Sequence, residues 1–290
     1  SLLGIQDFSG QGTALVGMMN AFGDAKPYAF ADPEAFEGFF SPTAVLLETP
    51  KFCYTNTEEL TGKLLVSNYA QDDVKGAISY KLTDGDGKVL YEGRTGKATF
   101  PQGELTGAGE ISIPLGDISA PSQLQLEIAC QDARNSYDFW VYPAGNQVRD
   151  GEVYVTNSLD DTAAEILAEG GKVLLSPKAS KSALPESVNG NFTTAFWSSG
   201  FTSETQPGTM GLLLDPEHPV FDAFPTDYYS NYQWWAMSRY GRPMNLEALK
   251  NENGERIEPL VKVIDGFANL NNMGLLYEAA VGNGKLVVSS

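Results

Sequence analysis

Apolar residues follow three successive rhythms along the chain. In residues 1–42, after a short strand, Leu15, Met18, Met19 and Phe22 recur at i, i+3, i+4 and i+7. That spacing predicts one face of a helix, with Gly10 and Gly12 at the turn before it. Asp32-Pro33 reads as the N-cap and first residue of a second short helix, which carries Phe36, Phe39 and Phe40 and stops at Pro42. So much aromatic surface on forty residues has to pack against something else.

Residues 43–145 switch to a two-residue period. Leu60–Val66, Ala77–Leu82, Lys88–Tyr91, Glu110–Ile113, Gln123–Ile128 and Tyr137–Tyr142 alternate apolar and polar positions, with Asp84-Gly85-Asp86-Gly87 as a hairpin turn. About seven short strands within a hundred residues predict an immunoglobulin-like β-sandwich. No tryptophan lies between Cys53 and Cys130, so the antibody-type core is not expected.

Residues 150–290 alternate strand and helix. Val153–Val155 reads as a strand, Ser158 as a helix cap with Asp161 at the box position, and Gly170-Gly171 as that helix's end. Leu159, Ala163, Ile166 and Leu167 form its buried face, and Lys172–Leu175 is the next strand. This is a βαβ start and predicts a small, doubly wound α/β domain with an antiparallel edge. Further strands are expected at Gly211–Leu214 and Leu260–Ile264, a Trp-rich helix from Asn231, and a closing hairpin across Gly282-Asn283-Gly284.

Charge narrows the partners. The chain has 290 residues, with 19 Lys+Arg against 37 Asp+Glu, a net charge of −18. The acidity is even: residues 1–150 hold 10 basic and 20 acidic groups. With no basic stripe to neutralise phosphates, neither nucleic acid nor an anionic membrane surface is an expected partner. No apolar run reaches the ~18 residues of a membrane span. Two cysteines leave a single bridge or two buried thiols equally open.

Candidate chemistry is sparse. Neither G-x-G-x-x-G nor G-x-x-x-x-G-K-[ST] stands at a strand-to-helix turn, so phosphate cofactors are not expected. His218 is the single histidine; it cannot build a multi-His metal site, and a local capping role in its loop is the expectation. Asp84, Asp86 and Gly87 open like a calcium loop, but Thr95 stands where a bidentate Glu belongs. No cofactor and no metal are expected. Thirty-seven acids offer many pairs for glycoside hydrolysis, and nothing in their spacing selects one. The most unusual run is Tyr228-Tyr229-Ser230-Asn231-Tyr232-Gln233-Trp234-Trp235, followed by Tyr240. Flat rings beside amides suit a saccharide platform; such rings also pack in cores, and the core is the expectation to beat.

Asp7-Phe8-Ser9-Gly10-Gln11-Gly12-Thr13-Ala14-Leu15-Val16-Gly17, followed by Ser41-Pro42-Thr43, resembles the last barrel segment of bacterial family 2-like (β-galactosidase-like) glycoside hydrolases, with Ser9 where those proteins carry Pro. Phe224–Tyr228, Gln233–Trp235 and Arg242–Met244 resemble their C-terminal module, which is similar to class I glutamine amidotransferases (a flavodoxin-like fold). The resemblance implies three parts: a helical remnant of a TIM barrel at 1–42, an Ig-like domain at 43–145 and an amidotransferase-like domain at 150–290. It also implies that the acid/base and nucleophile Glu precede Ser1, and that the last module is inactive, since residues 151–290 contain no Cys. Asp7 and Gln11 would lie near the barrel mouth.

The expectation is therefore a non-catalytic C-terminal portion of a secreted, periplasmic or extracellular glycoside hydrolase, with no initiator Met and no signal peptide in these residues. Its partner is carbohydrate, through Asp7, Gln11, Tyr228, Tyr229, Tyr232, Trp234 and Trp235, with no membrane insertion, and a homo-oligomer interface left open. The alternative is a stand-alone carbohydrate-binding protein using the aromatic run.

Overall fold

The alternation at Leu124, Leu126, Ile128 and Cys130 places those four side chains on one face of a strand, where all are buried. The same period operates throughout the first half of the chain. The computed structural model describes residues 5–7, 17–27, 31–145, 152–190, 192, 209, 211–265 and 269–290. It divides into two compact units, residues 1–144 with 223–225, and residues 145–222 with 226–290.

Among the described residues, ten strands lie in the first unit: β1 (Thr43–Glu48), β2 (Cys53–Thr55), β3 (Glu59–Asn68), β4 (Val74–Gly76), β5 (Ser79–Thr83), β6 (Val89–Arg94), β7 (Ala98–Phe100), β8 (Glu104–Pro114), β9 (Ser122–Cys130) and β10 (Ala133–Tyr142). One sheet runs β1-β3-β8 and a second β2-β10-β9-β5-β6; β4 and β7 form a separate ribbon. Every neighbour is antiparallel except β2, which runs parallel to β10. Val45, Leu64, Val66, Ile111 and Ile113 of the first sheet share one core with Leu82, Leu126, Ile128, Phe139 and Val141 of the second. Each such side chain contributes about 1.5–3 kcal/mol by leaving water. The β5–β6 turn is local chemistry: Asp84 Oδ1 accepts N–H bonds from Asp86 and Lys88, and Gly87 takes φ +78°. The acids that resemble a calcium loop therefore make an Asx-type turn.

The N-terminal segment departs from expectation. Helix α1 (Pro33–Glu37) is capped by Asp32, whose side chain accepts from the Glu34 N–H, but it ends at Gly38 rather than Pro42. The expected longer helix is not formed in its described part. Met19 bridges to Gln6 and to Ala25, and Phe22 sits on a turn, 91% exposed. Asn20 explains the turn, because its Oδ1 accepts from the Phe22 and Asp24 N–H groups and competes with helical pairing. Gly10, Gln11, Gly12 and Leu15 lie outside the described residues.

In the second unit β11 (Tyr154–Thr156), β12 (Lys172–Leu175), β13 (Gly211–Leu214), β14 (Met244–Asn245), β15 (Pro259–Ile264), β16 (Met273–Val281) and β17 (Gly284–Ser289) make one mixed sheet. Its order is β11-β12-β17-β16-β15-β13, with β14 beside β16. The first three strands are parallel and the rest antiparallel, so the antiparallel part is larger than an edge. Helix α2 (Asp161–Ala168) packs Ala163 and Leu167 against Val173, Leu286 and Val288, and is the helix lying on this sheet among the described residues. Its cap is Asp160, which accepts from the Ala163 N–H at 2.8 Å, two residues beyond the expected Ser158. The C-terminal end is as expected from glycine: Gly170 takes φ +90°, while Gly171 N–H bonds to Ile166 O and Gly170 N–H to Leu167 O, a Schellman closure.

Candidate functional site

The aromatic run begins where Leu214 N–H bonds to Tyr228 O and Leu212 N–H to Ser230 Oγ, which fixes the run along edge strand β13. Asn231 then caps a 3₁₀ turn, Tyr232–Trp234, by accepting from the Gln233 N–H, and donates to Asp227 Oδ2 at 2.6 Å. Helix α3 (Trp235–Tyr240) follows directly.

This geometry splits the two adjacent tryptophans. Trp234 is buried, 6% exposed; its Nε1 donates to Thr226 Oγ1 at 2.8 Å and its ring meets Phe221 edge-on at 6.1 Å. Trp234, expected as a sugar contact, is packed in the core with little of its ring exposed. Gln233 is buried too, which removes one of the amides expected beside the rings. Trp235 is 55% exposed, and Tyr228, Tyr229, Tyr232 and Tyr240 also stand in solvent. Tyr228 and Tyr229 form an edge-on pair at 5.0 Å. The Arg239 guanidinium lies 5.1 Å from the Trp235 ring centre and 5.9 Å from that of Tyr240. Sequence reasoning missed Arg239; its i,i+4 spacing from Trp235 on one helix face is the signal that finds it.

Asp7 belongs to the first unit and the aromatic run to the second. Asp7 is buried; Oδ1 accepts from the Gly17 N–H at 2.7 Å, and Oδ2 pairs with Lys26 Nζ at 2.8 Å. The Lys26 hydrogen bond, helped by Gly17, holds the carboxyl below its ordinary range against the opposing effect of burial. A charged carboxylate with both oxygens engaged in this way clamps its own segment. Gln11 lies outside the described residues.

His218 caps a 3₁₀ turn, Pro219–Phe221, its Nδ1 accepting from the Val220 N–H at 3.2 Å, the local role read from its loop. Cys53 and Cys130 are free thiols, and burial raises the pKa of both. Among the described residues no group of three or more metal-ligating side chains comes together, and no helix is long and apolar enough to cross a membrane. A groove of about 550 Å³ crosses β5, β6 and β9, where Lys81 and Glu127 pair at 2.8 Å.

Comparison with known proteins gives two family models, each described as a domain of unknown function. One (DUF8488) matches residues 58–143 and the other (DUF8487) residues 154–290. No curated protein matches the chain in sequence. Weak structural neighbours include glycoside hydrolases. A β-glucosidase from Listeria innocua in complex with glucose is 12% identical, with TM-score 0.28, over 36% of this chain and 16% of that one. A β-glucosidase from Erythrobacter marinus is 9% identical, with TM-score 0.28, over 34% and 15%. An alkylpurine DNA glycosylase from Pseudomonas fluorescens, bound to DNA, is 11% identical, with TM-score 0.30, over 35% and 30%. The chain thus spans less than a third of each of these proteins, and overlaps this partial carry no argument about activity.

Proposed function

We propose that this chain is the non-catalytic, carbohydrate-contacting C-terminal portion of a secreted, family 2-like glycoside hydrolase. The observation that carries the reading is the exposed ring set Tyr228, Tyr229, Tyr232 and Trp235, held on a capped turn whose neighbouring Trp234 is core. Large rings kept in solvent on a fixed scaffold are what saccharide C–H faces stack on, and they are costly to expose without a use. The D-F-x-G-Q-G-T run and the later S-P-T support the link to such enzymes.

The strand order supports the Ig-like part of the reading. Setting β1, β3 and β8 against β10, β9, β5 and β6 corresponds to strands A, B and E facing G, F, C and C′. In the second unit, the parallel β11-β12-β17 set with α2 supports an amidotransferase-like ancestry, and the lack of any Cys in residues 151–290 supports its being inactive. Buttressing a preceding barrel, completing a sugar subsite and forming a homo-oligomer interface, in the periplasm or outside the cell, are the roles this reading assigns.

The purified chain is expected to leave aryl glycosides intact. Turnover that disappears with one Glu or Asp substitution overturns the reading. The exposed rings equally favour a second reading, a stand-alone carbohydrate-binding protein. Reading the coding sequence upstream of Ser1 separates them: a further frame of about 250 residues with a (β/α)₈ pattern supports the first, and a start codon with a signal peptide beside Ser1 supports the second.

A further inference from the structure

We propose that the face of α3 carrying Trp235, Arg239 and Tyr240 binds acidic saccharides of the uronate class. The proposal rests on the carbohydrate reading above and gives it a substrate class. Five observations carry it.

Trp235 and Tyr240 are 55% and 75% exposed, so each offers ring surface to a ligand. Arg239 is exposed between them, its guanidinium 5.1 Å and 5.9 Å from the two ring centres. In a chain with a net charge of −18, a surface arginine has many carboxylates to pair with, yet among the described residues none lies within ion-pair distance of Arg239. The other described arginines of this unit are committed. Arg256 pairs with Glu247 at 3.0 Å, and Arg242 donates to Ser187 and Asn189.

The platform is also held still. Trp234 Nε1 is bonded to Thr226, and the buried Ser238 hydroxyl donates to Trp234 O at 2.7 Å, so the turn that starts α3 is pinned from inside while its outer face stays open. Rings held in place lose little freedom when a ligand arrives.

The chemistry follows from the pair. A pyranose lays its C–H face on an aromatic ring, and a guanidinium presents paired N–H donors that match a carboxylate in two parallel bonds. A uronic acid carries both groups on one ring. A neutral sugar uses only the aromatic part, and general repulsion from this acidic chain, screened over about 8 Å at physiological salt, makes the local cation the deciding contact.

The test uses the full chain at 0.15 M salt, titrated with trigalacturonic acid and with its fully methyl-esterified form, which removes the charge and keeps the sugar. Tryptophan fluorescence and calorimetry read the binding. The acid is expected to bind at least tenfold more tightly than the ester. Arg239→Ala abolishes that preference, Arg239→Lys restores part of it, and Trp235→Ala weakens both ligands. All three side chains are exposed, and an unchanged melting temperature checks that each variant is folded. Equal affinity for acid and ester, or acid binding that survives in Arg239→Ala, overturns the uronate proposal and leaves the carbohydrate reading standing. Binding of neither form by the folded chain overturns the site itself. The accessory-region reading falls on a different result, hydrolysis by the pure chain.

Discussion

Replacing Trp234 by alanine removes a ring that is 6% exposed, leaves a cavity beside Phe221 and takes away the N–H that the Thr226 hydroxyl accepts, leaving that hydroxyl its bond to Asp227 O. The expected cost is about 3–5 kcal/mol. The same change at Trp235 removes a half-exposed ring whose partner is the Arg239 guanidinium, and should cost no more than about 1 kcal/mol. Urea unfolding of the two variants checks the contrast; equal losses would mean that Trp235 is core as well. Asp7 gives a prediction with a sign. Its carboxyl is held below the ordinary value of 3.8, so the folded state binds that proton less readily than the unfolded chain. The stabilisation is fully present above the unfolded value and is withdrawn as pH falls through the lower folded one. Asp7→Asn should therefore lower amide protection at Gly17 and Met19 at neutral pH, and the gap from the native chain should close as pH falls below the ordinary carboxylate range, by the same linkage. A gap that stays constant across that range would remove the Lys26 pairing as its cause.

At the scale of elements, glycine decides how helix α2 meets strand β17. Gly170 sits at φ +90°, so Gly170→Ala should cost about 1–2 kcal/mol, the ordinary left-handed penalty. Gly284 is tighter: a Cβ there would stand 2.5 Å from Gly171 O and 2.7 Å from Leu167 O, both backbone atoms that cannot swing away. Gly284→Ala should therefore be the more damaging change, at the top of the roughly 1–3 kcal/mol range for overpacking. Chemical denaturation ranks the pair, and the reverse order would mean that α2 yields more readily than its contacts indicate. These elements also mark what the sequence made legible. Strands β3, β5, β6, β8, β9 and β10 could be read from alternation because one face of each meets the shared core. The Gly282-Asn283 hairpin and the Gly170 helix end could be read because turns need specific residues. Short β2, β4 and β7, of three residues each, carry too few positions for a period to show. The expected helix through Met18 and Phe22 failed because apolar spacing alone ignores Asn20, whose side chain satisfies two backbone N–H groups and holds a turn. At the candidate site, the aromatic run was visible in the sequence. Which of Trp234 and Trp235 points inward was not, because that depends on the 3₁₀ turn that rotates one ring toward Thr226.

At the scale of the whole molecule, the division into two units has a consequence for unfolding. The first unit holds a core built from both of its sheets, and the second holds a separate one around α2, β12 and β17. Cores with no shared side chains need not melt together. The cysteines supply a clean reporter, because both lie in the first unit and none occurs in residues 145–290. Burial raises both thiol pKa values, so the reactive thiolate is scarce until that unit opens. Pulsed thiol labelling across a urea gradient then follows the first unit alone, with Cys130, 1% exposed, as the stricter probe. Hydrogen exchange in β12 and β17 follows the second. We expect two midpoints, with labelling of Cys130 and deprotection of Val173 and Leu286 separated along the gradient. A single coincident midpoint by both probes would show that the two cores unfold as one cooperative body. Chain division by compactness would then be a poor guide to how this protein stores its stability.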